Sequence, residues 1–137
     1  MPKSIHHVAV VVRDLDQALA FYRDTLGLEM ADRRRVEEEG VEIAFLPTGE
    51  AEIELLEPLT EEGGVARFLE KRGEGLHHVC LQIDDIEAAM DRLEAAGARV
   101  LSEEPQVSAD GTRYVFVHPK SAHGVLIELY QVPDTST

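Results

Sequence analysis

Apolar residues follow two periods along this chain, and the two alternate in the same order twice. Residues 5–12 make a Val-rich apolar run of strand type. From Leu15 the period changes: Leu15, Ala18, Leu19 and Tyr22 step i, i+3, i+4, i+7, as one apolar helix face does. The change returns downstream, where the strand-like Val79–Ile83 is followed by Ile86, Ala89, Met90 and Leu93 at the same helical spacing. Asp14 with Gln17, and Asp84 with Glu87, have the spacing of a capping box, and Gly27 and Gly97 suit the helix ends. Residues 28–35, 41–47 and 51–56 read as strands after the first helix, with a Pro-Thr-Gly-Glu hairpin turn. Residues 99–102, 114–118 and 125–131 read as strands after the second. Val65–Leu69 has helical spacing and ends in Lys71-Arg72-Gly73, as a helix C-terminus does; residues 132–137 read as a frayed tail.

The product is βαβββ twice, which predicts the α+β class. The letters repeat as well: Ile5-His6-His7-Val8 returns as Leu76-His77-His78-Val79, and Ile53-Glu54-Leu55 as Ile127-Glu128-Leu129. We therefore expect one domain over 1–137, with module one over about 4–59, a linker helix over about 60–74 and module two over about 75–132. The two tandem modules would form one cupped mixed sheet around a central site, with the helices outside. Strand parity decides which side chains face that site. It places His7 and His78 there, with Glu42, Glu54 and Glu128, and leaves Val41, Ile43 and Phe45 under the helices. His6 and His77 fall on the helix side as packing or partly exposed residues.

Composition narrows the partners. With 27 acidic against 13 basic residues the net charge is −14, which argues against nucleic acid and anionic membrane. No apolar run approaches the roughly 20 residues of a membrane span, and the N-terminus lacks a signal-peptide core, so a chain starting near residue 1 is expected. Cys80 is the only cysteine, which rules out an internal disulfide and suits a reducing, cytoplasmic location. The basic concentrations, Arg33-Arg34-Arg35, Lys71-Arg72 and Lys120, read first as solvated surface and second as contacts for ligand phosphates.

His7, Glu54, His78 and Glu128 are a mixed N/O donor set for one divalent ion of the Co²⁺, Ni²⁺, Zn²⁺, Mn²⁺ or Fe²⁺ type. A lone His in an apolar strand is more often structural, but two His and two Glu at equivalent positions each break an apolar strand at a cost in desolvation. Glu54 is the weakest member, because Glu52 and Glu57 crowd its strand. An open metal position polarises a carbonyl and eases removal of a neighbouring proton, and Glu42 is the spare carboxylate to act as base. His118 and His123 read as loop residues, and Cys80 as a small packing residue.

These blocks resemble the vicinal-oxygen-chelate superfamily, and within it the chain looks most like the methylmalonyl-CoA epimerases. The resemblance is carried by Ile5-His6-His7-Val8-Ala9, Gly40-Val41-Glu42-Ile43, Glu54-Leu55-Leu56-Glu57-Pro58, Gly75-Leu76-His77-His78-Val79, Asp84-Asp85-Ile86, Leu101-Ser102-Glu103-Glu104-Pro105, and His118-Pro119-Lys120-Ser121 followed by Gly124-Val125-Leu126-Ile127-Glu128-Leu129. It implies one metal ion per chain, cobalt above nickel, manganese or zinc, held by His7, Glu54, His78 and Glu128, where the family sometimes has a Gln in place of Glu54. It implies methylmalonyl-CoA as substrate, a homodimer, and inversion at C2 with Glu42 and Glu128 handling the proton. A glyoxalase I-type lactoylglutathione lyase and a non-catalytic binding protein of the same fold are the alternatives. The stretch His118–Gly124 departs from the lyase pattern, and the full donor set opposes the binder.

Overall fold

The computed structural model describes residues 2–133, which fall into two compact units, residues 7–77 and residues 2–6 with 78–133. The tail expected from residue 132 lies, from 134 onward, outside the described residues.

The first unit follows the expected order. β1 (Pro2–Val11) leads to α1 (Leu15–Leu19), then β2 (Asp32–Val36), β3 (Val41–Thr48) and β4 (Ala51–Pro58). α2 (Gly64–Arg72) closes the unit. Its strands lie in the order β2-β3-β4-β1, antiparallel except for β1 against β4, where His7 is level with Glu52 and Ala9 with Glu54. Both faces of this sheet are covered. Val12, Ala44, Leu46 and Leu55 are buried with Leu15 and Leu19 of α1. Ala9, Val11, Val41, Ile43 and Leu56 are buried on the other face, under Val65, Phe68 and Leu69 of α2. α2 is thus a packed layer of the first unit rather than a free linker.

The second unit repeats the topology with β5 (Gly75–Ile83), α3 (Ile86–Ala95), β6 (Gln106–Val107), β7 (Arg113–Val117) and β8 (Ile127–Gln131), in the order β5-β8-β7-β6. β5 runs parallel to β8, as β1 does to β4. Ile83, Val115, Val117 and Leu129 bury one face against Ile86 and Ala89 of α3. The strand expected over 99–102 is only a bridge from Val100 to Val117, and residues 28–31 pack Leu28 and Met30 into the core, the Ala31 N–H reaching the Phe45 carbonyl at 2.8 Å just before β2 begins at Asp32.

The helix starts show how closely the halves match. Asp14 Oδ1 accepts from the Gln17 N–H (3.1 Å) and Asp85 Oδ1 from the Ala88 N–H (3.0 Å). The second cap is thus Asp85, the true counterpart of Asp14, and not Asp84. Each helix also receives a longer-range cap. Glu57 Oε1 accepts from the Leu15 N–H, and Gln131 Oε1 from the Ile86 N–H, both at 2.7 Å. After Leu19 the first helix widens into a π-helical turn over Ala20–Thr25, where the Leu26 N–H reaches back five residues to the Phe21 carbonyl at 2.8 Å.

Candidate functional site

Each unit buries one imidazole against one carboxylate. In the first, His7 Nδ1 lies 3.2 Å from Glu54 Oε2, on residues 1% and 8% exposed. In the second, His78 Nε2 lies 3.1 Å from Glu128 Oε1, on residues 7% and 5% exposed. The parallel strand pairs create both meetings. Glu54 is level with Ala9, two residues beyond His7 on the same face, and Glu128 is level with Cys80, two beyond His78.

These pairs occupy the faces away from α1 and α3. On the second unit's face the edge of the His78 ring meets Phe116 (centroids 5.5 Å apart), which is level with Glu128, and Tyr114 stands beside Tyr130. His6 packs on Tyr130 at 4.8 Å and His77 on Phe68 at 5.1 Å. Both are packing residues, as expected, but on the pair-bearing faces: Tyr130 shares the face of Glu128, and Phe68 belongs to the α2 layer over the His7–Glu54 face. Buried Cys80 shares the His78 face as a small packing residue. His118 and His123 are loop residues; His118 Nδ1 accepts from the Lys120 N–H, and His123 adopts a left-handed backbone.

Glu42 departs from its expected place. It is level with Glu57, whereas Glu54 is level with Phe45, so Glu42 and Glu54 point to opposite faces. Glu42 stands on the α1 face, its Oε2 2.6 Å from Arg33 Nε, while Arg33 Nη1 reaches Asp16 Oδ1, also at 2.6 Å. Asp16 first and Glu42 second raise the Arg33 guanidinium above its ordinary value. Val41, Ile43 and Phe45, expected under α1, lie instead on the face of His7 and Glu54. The physical reason is that β3 is covered on both sides, so its apolar pattern cannot name the α1 side. The Arg run is likewise committed elsewhere: Arg34 lies over the Phe45 ring at 4.6 Å and Arg35 Nε pairs with Glu37 at 3.0 Å.

The model of the glyoxalase/bleomycin resistance protein/dioxygenase superfamily matches residues 6–116. The chain belongs to that superfamily. Among its relatives, an ethylmalonyl-CoA/methylmalonyl-CoA epimerase of Cereibacter sphaeroides is 47% identical over 93% of this chain and 97% of its own length. The human mitochondrial methylmalonyl-CoA epimerase is 41% identical over 93% of this chain and 73% of its own. A solved methylmalonyl-CoA epimerase in complex with methylmalonyl-CoA and NH4+ superposes with a TM-score of 0.89 at 36% identity, covering 100% of this chain and 99% of that one. The α+β class is thereby the fold of this superfamily member.

The donor chemistry of the two pairs fits a divalent ion. Imidazole nitrogen with carboxylate oxygen suits a borderline cation, and the buried positions make an ionised carboxylate costly without positive charge nearby. Sequence reasoning missed Glu57 and Gln131 as caps. The signal was there, since Glu57 stands to Gln131 as Glu54 stands to Glu128. It also missed Arg33, which shares a strand face with Arg35, the residue level with Glu42.

Proposed function

We propose that this chain is an epimerase interconverting the (R) and (S) forms of methylmalonyl-CoA. The observation that carries this reading is the duplicated buried pair, His7–Glu54 and His78–Glu128, in a chain matching epimerases of that thioester along nearly its whole length. The C2 proton of the substrate lies between a thioester carbonyl and a carboxylate. Its removal breaks the C–H bond and sends the electron pair into the thioester carbonyl, leaving a planar carbon. Return of a proton to the other face inverts the centre, with no net gain or loss of atoms.

His7, Glu54, His78 and Glu128 are assigned to hold one divalent ion, with cobalt preferred to nickel, manganese or zinc. When bound, such an ion supplies Lewis-acid stabilisation of the negative charge that develops on the carbonyl oxygen. Glu128 is assigned the proton at one face of C2. Phe116, Tyr114 and Tyr130 form an apolar wall beside it, which excludes water and strengthens local electrostatics. Glu42 is left out of the proton path because its carboxylate is on the α1 face, held by Arg33. The lactoylglutathione lyase reading has weaker support: a probable enzyme of that kind from Vibrio cholerae is 32% identical over 127 residues. No described helix is long and apolar enough to cross a membrane. A homodimer, tested by light scattering, completes the proposal.

The deciding experiment loads the protein with cobalt and supplies (R)-methylmalonyl-CoA in deuterated water. Appearance of the (S) epimer with deuterium at C2 is expected. Failure of both, with turnover of the glutathione–methylglyoxal hemithioacetal instead, would establish the lyase.

A further inference from the structure

A chain of net charge −14 must still attract a substrate whose nucleotide end carries several phosphate charges. Its own acids already engage much of its basic side-chain charge. Arg23 pairs with Asp24, Arg33 with Asp16 and Glu42, Arg34 with Asp32, Arg35 with Glu37 and Arg113 with Glu87. Among the described residues, Arg13, Arg67, Lys71 and Arg72 carry no such pair, and they come together at the C-terminal end of α2.

Two elements build that convergence. Arg67 and Lys71 are four residues apart on α2, hence on one helix face, and Arg72 follows, its guanidinium 5.8 Å from the Phe68 ring centroid. Arg13 approaches from the end of β1. Its Nη2 is the one heavy atom that a Cβ on Gly73 would meet, at 4.0 Å, and its backbone N–H donates to Glu74 Oε2 at 2.9 Å. Glu74 is thus turned to the Arg13 backbone, while Glu70, the one acid on α2, forms no ion pair with Arg67, Lys71 or Arg72. Basic residues at a helix C-terminus also complement the helix dipole, which by itself would explain Lys71 and Arg72. It does not explain Arg13, which belongs to another element.

The position relative to the pair completes the case. α2 packs Val65, Phe68 and Leu69 over the sheet face that carries His7 and Glu54, so its exposed cationic end borders that same face. We propose that Arg13, Lys71 and Arg72, with Arg67 one turn earlier, bind the phosphate groups of the CoA moiety while the acyl end lies at His7–Glu54. This rests on the epimerase reading for its substrate. Arginine and lysine together suit a flexible polyanion: Arg offers a planar fork and Lys a mobile point charge. Among the described residues, Arg99 and Lys120 likewise carry no acidic partner, and they serve as the internal comparison.

The test titrates coenzyme A calorimetrically into the full chain, wild type against Lys71→Gln/Arg72→Gln and against Arg13→Gln, with circular dichroism to confirm folding. CoA affinity should fall about tenfold in the double variant and severalfold in Arg13→Gln, with a shallower salt dependence. Arg99→Gln/Lys120→Gln should bind as wild type does. Dephospho-CoA separates the sources: if the 3′-phosphate is the group held, it binds wild type as weakly as CoA binds the double variant; if the pyrophosphate is held, it binds wild type as CoA does. In turnover, the preference for methylmalonyl-CoA over methylmalonyl-pantetheine should shrink about tenfold in the double variant. Wild-type CoA affinity in both α2-end variants, or a loss confined to Arg99→Gln/Lys120→Gln, overturns the assignment. Titration with CoA needs no catalysis, so it separates failure of this subsite from failure of the epimerase reading.

Discussion

Arg33 Nε lies 2.6 Å from Glu42 Oε2, and this ion pair stands on the α1 face of the first sheet, opposite the face of His7 and Glu54. The two side chains are 31% and 19% exposed, so the pair is partly screened. Glu42→Gln should therefore cost stability and spare chemistry. We expect a loss of about 1 kcal/mol in thermal or urea melts and less than about a threefold change in kcat. A fall of a hundredfold or more in C2 proton exchange would return Glu42 to the proton path.

His78→Ala and His7→Ala each remove one imidazole from a buried pair. Metal bound after cobalt loading, measured by plasma mass spectrometry, should fall from one per chain to a small fraction, with activity down by at least about 100-fold. In the wild type a saturating divalent ion should raise the melting temperature, by an amount reflecting roughly 3 kcal/mol at a hundredfold excess over Kd. A chain that neither binds nor responds to any divalent ion would overturn the assignment of all four ligands.

Gln131→Ala removes the side chain that accepts from the Ile86 N–H. The α3 N-terminus keeps Asp85, so the expected loss is about 1 kcal/mol rather than unfolding. Hydrogen exchange should report it as faster exchange confined to the first turn of α3.

Asp110 sets a pH dependence of its own. The hydroxyl of Ser108, and then the backbone N–H of Thr112, hold its carboxyl down at about 2 from an ordinary 3.8. A depressed carboxyl pKa stabilises the fold above the unfolded value, and that stabilisation disappears as pH falls through the folded one. Wild type should therefore exceed Asp110→Ala in stability at neutral pH, by less than about 1 kcal/mol for so exposed a loop. The gap should narrow between pH 4 and pH 2, and a gap that widened there would contradict the assignment.

The fold was legible because the helix period and the strand period alternate cleanly, as in Leu15, Ala18, Leu19 and Tyr22 and again in Ile86, Ala89, Met90 and Leu93. The His–Glu pairs were legible because repetition fixes register, and a one-residue error would have turned His78 onto the opposite face. Glu42 was misplaced for the converse reason. β3 buries Val41 and Ile43 under α2, and Ala44 and Leu46 under α1, so its own letters give no unique side. The expected strand over 99–102 failed because Leu101 is exposed and the segment meets the sheet only through the Val100 bridge and two flanking bonds, from the Leu101 N–H to the Phe116 carbonyl and from the His118 N–H to the Arg99 carbonyl. Apolar letters alone do not supply a neighbour.

The π-helical turn over Ala20–Thr25 bears on how the two halves diverged. Twelve positions separate Leu15 from the left-handed Gly27, and eleven separate Ile86 from the left-handed Gly97. A single added residue in the first copy would force every later helical side chain some 100° around the axis unless the backbone absorbed it locally. The five-residue hydrogen bond from the Leu26 N–H to the Phe21 carbonyl takes up such a residue, so both helices still end on a glycine and release the chain toward its sheet. The widened turn is thus where the first half accommodates its one extra residue, and deleting one residue within 20–25 should restore an ordinary helix.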